Sequence, residues 1–143
     1  MALALEEANK ALEIDEVPIG AVLIHAGTGE IAAKAFNKAI ALSDPSAHAE
    51  ILAIRELCAK VGAQRIPEYD LYVTLEPCAM CAAAISFARI RRVIFGALDP
   101  KGGGILHGGK FYEQSTCHHR PEVAHLDTPE CGEILRTFFK KKR

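Results

Sequence analysis

Two short motifs hold residue types that can do chemistry together. The first is His48-Ala49-Glu50, and the second is Leu75-Glu76-Pro77-Cys78-Ala79-Met80-Cys81. Cysteines three residues apart place both sulfurs on one side of a helical turn. A histidine from elsewhere completes a three-ligand zinc site, and three ligands leave tetrahedral zinc one open position. Water held there has its pKa lowered towards about 7, and Glu50 is the candidate to move its protons. Glu76, next to the cysteine motif, is the rival carboxylate, with a structural hydrogen bond as its alternative role. The plain alternative for the motifs is two small buried cysteines and a histidine capping a helix. A lone CxxC is weak, whereas its pairing with H-x-E is specific.

The elements that must position these residues are readable from their flanks. Asp44-Pro45-Ser46 is a helix-start signal with Ser46 as N-cap. The helix expected over 47–61 has Ile51, Ile54, Cys58 and Val61 at helical spacing, widened by Leu52 and Leu57, and Gly62 ends it. A strand over 71–75 delivers Glu76-Pro77-Cys78, and a short alanine-rich helix over 79–88 follows. Both motifs therefore sit at helix beginnings, where free N–H groups and the positive dipole end favour thiolate. His48 and Glu50 are two apart, which in an ideal helix points them about 200° from each other. They share a metal only if it lies near the helix end.

The remaining chain supplies a scaffold. Residues 2–13 read as an amphipathic helix, and residues 17–24 as a strand covered on both faces, with Pro18 at its beginning. Ala26-Gly27-Thr28-Gly29 is turn chemistry, and 30–36 returns as an edge strand with Glu30 out and Ile31 in. A strand over 93–97 pairs in parallel with 71–75 across the intervening helix. Residues 99–109 hold five of the eleven glycines and read as a loop, and 109–121 carries no clear pattern. Residues 122–126 offer a fifth strand. Thr128-Pro129-Glu130 starts a last helix running to about 140, with Ile134, Leu135, Phe138 and Phe139 as its apolar side. The sum is one α/β domain over 1–143, without repeats.

Composition narrows the function classes. No apolar stretch approaches the roughly 20 residues of a membrane span, and the N-terminus lacks the basic lead-in of a signal peptide. Five cysteines (58, 78, 81, 117, 131) show no disulfide-like regularity, so reduced, metal-binding cysteines of a cytoplasmic protein are expected. Cys58 and Cys131 fall on apolar helix faces and read as core. Cys117-His118-His119 invites a second metal site but lacks paired ligands at a defined spacing, and reads as loop. The net charge of −1 conceals a balance of −6 over residues 1–77 and +5 over 78–143. The cations gather at Arg89, Arg91 and Arg92 and at 140–143, where they can neutralise phosphates or simply solvate a surface. Phe138 and Phe139 are core by default, although one could stack on an unpaired base.

At the quoted motifs the sequence resembles the cytidine/deoxycytidylate deaminase superfamily. Asp15-Glu16-Val17-Pro18-Ile19-Gly20-Ala21-Val22, Asp44-Pro45-Ser46-Ala47-His48-Ala49-Glu50-Ile51, Leu71-Tyr72-Val73-Thr74-Leu75-Glu76-Pro77-Cys78 and Phe95-Gly96-Ala97-Leu98-Asp99-Pro100-Lys101 look like the bacterial tRNA-specific adenosine deaminases within it. The resemblance implies a three-layer α/β/α fold with a five-stranded mixed sheet and helices on both faces. It implies a cytoplasmic homodimer with one Zn2+ per subunit and no nucleotide cofactor. It further implies conversion of the wobble adenosine of an arginine tRNA to inosine on the anticodon stem-loop. His48, Cys78 and Cys81 are then zinc ligands, Glu50 the proton shuttle, and Asn37 a contact to the flipped-out nucleoside. Asp99 and Phe139 are implied near the anticodon loop. Two alternatives share the zinc motif: a deaminase of a free base, nucleoside or nucleotide, and a structural zinc module closed by a fourth ligand such as Cys58 or Cys117.

Overall fold

The computed structural model describes residues Met1–Arg143. Its helices are α1 (Ala2–Glu13), α2 (Ala49–Val61), α3 (Ala79–Phe87) and α4 (Pro129–Lys141). Its strands are β1 (Gly20–His25), β2 (Ile31–Phe36), β3 (Tyr69–Leu75), β4 (Arg92–Ala97) and β5 (Glu122–His125). The five strands form one sheet in the order β2-β1-β3-β4-β5. β1 is antiparallel to both β2 and β3, whereas β3–β4 and β4–β5 are parallel, so the sheet is mixed as expected. No helix is long and apolar enough to cross a membrane.

Alternation along the strands sorts the helices onto two faces. Ala21 and Leu23, Leu71 and Val73, and Val93 and Phe95 share one face and pack with Ala53 and Leu57 of α2 and Ala82 and Ile85 of α3. Each large side chain fully buried there is worth about 1.5–3 kcal/mol. The opposite face is set by close approach. A Cβ on Gly20 would strike the Ala4 carbonyl oxygen and lie 2.6 Å from Ala8 N, so only glycine lets α1 sit directly on β1. Ala4, Ala8 and Ala11 are correspondingly sealed. α4 lies on the same face, with Cys131 against Gly96 and Leu135 and Phe138 buried.

Several expectations shift. The buried stripe of α2 is Ala49, Ala53 and Leu57 with Glu50, while Val61 is exposed and Ile54 and Cys58 pack only at the margin. Alanines face the sheet because the helix lies close to it, and the branched side chains straddle the sides. Ile31 is nearly half exposed at the end of the edge strand, just past a register shift between Leu23 and Ile24. The α2 N-cap is His48, not Ser46, whose hydroxyl instead donates to Asp44 at 2.7 Å. Gly62 does end α2, with φ +68 in the left-handed region where a side chain is strained. Phe138 is core, but Phe139 is 46% exposed.

Candidate metal and proton-transfer site

β3 runs into Glu76-Pro77, and Cys78 follows as the N-cap of α3 in extended conformation. His48 is the matching N-cap of α2, also extended. Because His48 lies outside the helical repeat, the opposition expected for residues two apart in a helix does not apply. His48 and Glu50 both turn towards the α3 start. The imidazole Nδ1 lies 3.6 Å from Cys78 Sγ and 3.5 Å from Cys81 Sγ. The three donor atoms lie within 4.8 Å of one another. Zinc bonds of about 2.3 Å to sulfur and 2.0–2.1 Å to nitrogen at a tetrahedral angle require an N···S edge of about 3.5 Å. The donor set and its spacing therefore fit zinc. No fourth side chain joins the group: Cys117 instead contacts Ser86 and the His119 carbonyl, and Cys58 sits at the α2 margin.

Charge in the cluster is set at short range. The neighbouring Cys81 draws the Cys78 pKa down to about 4, aided by His48 and by the Cys81 backbone amide. The same proximity, with burial, pushes Cys81 up. His48 is raised chiefly by its hydrogen bond to Cys78.

Glu50 is 4% exposed, and its Oε1 is buried with no hydrogen-bond partner. Burial raises its pKa, with the nearby Cys78 adding to the shift. A buried carboxylate oxygen without a partner beside three potential metal donors is costly to leave unpaired, which marks Glu50 as the candidate for proton transfer at this site.

Glu76, the rival carboxylate, is occupied. Its oxygens accept from the amides of Asp99, Ile105, Leu106 and His107 and from the His107 ring. Burial alone would raise its pKa, but these donors outweigh burial and hold it below the usual range.

The other sequence-derived candidates are placed unevenly. Asn37 is buried and donates from Nδ2 to Glu16 Oε1 at 3.4 Å. The next residue, Lys38, bonds Ala47 O through its amide, seating Asn37 beside the segment that delivers His48. The Asp99 side chain is engaged in its own turn, accepting from the amides of Lys101 and Gly102. Phe139 belongs to α4, across the sheet from the metal donors. However, Lys142 beyond it pairs with Asp15 at 2.6 Å, adjacent to Glu16, so the C-terminal end reaches the Asn37 side. His119 donates its ring to Ile90 O, and 117–119 forms a latch instead of a second metal site. Sequence reasoning missed Glu16, which holds Asn37 and also the amides of Ile40 and Ala41. A carboxylate just before an apolar run gave a faint signal, but its partners lie more than twenty residues away.

Comparisons place this geometry among known proteins. The cytidine and deoxycytidylate deaminase zinc-binding region matches residues 1–97. The chain is 56% identical over 144 residues to the tRNA-specific adenosine deaminase of Agrobacterium fabrum, covering 100% of this chain and 93% of that protein. The protein of the same description from Aquifex aeolicus is 44% identical over 141 residues, covering 99% and 92%. A solved structure from studies of A-to-I editing by tRNA deaminases at the wobble position of transfer RNA superposes with a TM-score of 0.90 at 56% identity, covering 94% of this chain and 97% of that one. A chain solved in complex with 8-azaguanine shares the fold at a TM-score of 0.83 and 18% identity, covering 98% of this chain and 82% of that one.

Proposed function

Because the chain belongs to the zinc-binding cytidine and deoxycytidylate deaminase family, we propose that its site hydrolytically deaminates adenosine to inosine in tRNA, at the wobble position of an arginine-tRNA anticodon. The observation that carries this reading is the unpartnered Glu50 oxygen beside the His48, Cys78 and Cys81 donors. The substrate class is supported by whole-length relatives named for tRNA-specific adenosine deamination. His48 Nδ1 and the two sulfurs would hold one zinc per subunit of a cytoplasmic homodimer. When bound, zinc supplies a Lewis acid that makes water nucleophilic near neutral pH.

The chain's own residues handle the protons. Water adds its oxygen to C6 of the adenine ring while Glu50 accepts the proton it loses. Glu50 returns that proton to ring N1, and then passes the second water proton to the departing amine. The C–N bond breaks, ammonia leaves, and a C6 carbonyl remains. A carboxyl raised by burial suits a group that must accept and then donate at neutral pH. Asn37, fixed by Glu16, is the candidate to orient the nucleoside.

The test is deamination of an anticodon stem-loop, measured against free adenosine, cytosine and guanine, with zinc per protein determined on the same sample. Stem-loop turnover with zinc near one per chain is expected. Turnover of a free base without RNA activity would overturn the substrate assignment.

A further inference from the structure

The segment between β4 and the 3-10 turn Phe111–Glu113 has no regular structure, yet it is pinned to the site, chiefly at one carboxylate. Glu76 Oε1 accepts from Asp99 N at 3.2 Å and from His107 Nδ1 at 2.7 Å. Its Oε2 accepts from the amides of Ile105, Leu106 and His107 at 3.2, 2.9 and 3.1 Å. Gly104 N donates to Pro77 O at 2.8 Å, and Gly104 O accepts from Phe111 N at 2.8 Å. A Cβ on Gly104 would lie 2.5 Å from Ala79 N, and one on Gly103 would strike the Glu76 carboxylate. The loop is thus pressed onto the turn that presents Cys78. Gly103, Gly104 and Ile105 are buried inward, while Lys101, Leu106 and Lys110 line its exposed rim.

We propose that Glu76 is a positioning residue for substrate binding. Its carboxylate fixes residues 99–107 as a wall beside Cys78, and the exposed lysines on and just beyond that wall, Lys101 and Lys110, meet the RNA flanking the reacting nucleoside. Glu76 touches none of the reacting atoms. With five donors on one carboxylate, a glutamine would be a poor substitute: its NH2 would face N–H groups and leave some of them unpaired, and a buried unpaired donor is destabilising. The inference rests on the reading that RNA is the substrate.

The experiment compares wild type, Glu76→Gln and His107→Ala in steady-state deamination of the stem-loop, with zinc content and tryptic cleavage at Lys101 and Lys110 as companions. Glu76→Gln is expected to keep its zinc, to be cut faster at both lysines, and to raise KM on the order of tenfold with kcat within about threefold. His107→Ala, which removes one donor of the five, is expected to move KM the same way by about threefold. Faster cleavage with unchanged KM overturns the proposal, as does a fall in kcat at constant KM. If Glu76→Gln fails to fold or loses zinc, His107→Ala decides by the same criteria. A wild type inactive on the stem-loop overturns the substrate reading first, and this inference with it.

Discussion

The starts of α2 and α3 and the loop over residues 99–109 border one site but are held in place by opposite means. At the helix starts the backbone does the positioning. His48 and Cys78 are extended N-caps whose direction follows from where the helices begin, and those beginnings are fixed by alanines packed on the sheet. In the loop the backbone has no ladder or helix to join, and a buried carboxylate supplies the missing acceptors. The candidate reactive groups occupy the region whose geometry tolerates least error, and the loop is tied chiefly through one carboxylate. Under the proposed function, chemistry falls on regular elements and recognition on an anchored loop, the general division between scaffold and loop.

The largest expected effects fall on the helix starts. Cys81→Ala removes a buried donor from the α3 first turn, and both bound zinc and turnover should be lost, as elemental analysis and the stem-loop assay would show. Glu50→Ala should separate the two: zinc is retained, while kcat falls by about 10²–10⁴-fold, the usual contribution of a positioned acid–base group. Retained turnover in Glu50→Ala would remove the shuttle role, and would blur the division, because another group would then have to move the protons.

How far each region can be read from sequence follows from the same contrast. His48, Glu50, Cys78 and Cys81 lie in two local patterns at helix starts, and local spacing is what a sequence displays. The mixed sheet was legible for the same reason, from a hairpin signal and a strand-helix-strand unit. The assignments that failed turn on which of several available partners a side chain meets once the chain is folded. Ser46 has N-cap chemistry, but Asp44 captures its hydroxyl and the helix begins two residues later. Ile51 and Val61 have core hydrophobicity, but the closeness of α2 to the sheet gives the inner stripe to alanines. Glu76 was visible only as a carboxylate beside a ligand. Its partners, some thirty residues on, lie in a glycine-rich stretch without periodicity.

A single methyl group can set the two regions against each other. Gly104→Ala would place a Cβ 2.5 Å from Ala79 N, on the first residue of α3. Neither backbone can yield without disturbing its own anchor, so a loss of about 1–3 kcal/mol in unfolding free energy is expected, the range for overpacking. Chemical denaturation measures it. A neutral result would mean that the loop lifts freely from the Cys78 turn, contrary to its reading as a fixed wall. Outside both regions, neutralising residues 140–143 should weaken RNA binding and flatten its salt dependence by about 0.7 in log–log slope per lost single-strand phosphate contact. An unchanged slope would confine the phosphate contacts to the site's own loops.

The smallest effect belongs to a place where the helix-start side borrows the loop's device. Asp44 Oδ1 accepts from the Ser46 amide at 2.9 Å and from its hydroxyl at 2.7 Å, and this small turn feeds the chain into His48. The Ser46 hydroxyl bond, seconded by the amide, holds the Asp44 carboxyl below its ordinary 3.8. A carboxyl depressed in the folded state stabilises fully above its unfolded pKa, and the contribution disappears as pH falls through the lower folded value. Asp44→Ala should therefore lower Tm slightly at neutral pH and not at all once the acid limb has passed below the folded pKa. Because the side chain faces solvent, the neutral-pH shift should be a fraction of that seen for Gly104→Ala. Turnover should change little if helix packing alone directs His48. A large loss of kcat in Asp44→Ala, with Tm nearly unchanged, would show that the histidine depends on a side-chain anchor as the loop does, and the contrast between the two regions would then be one of degree.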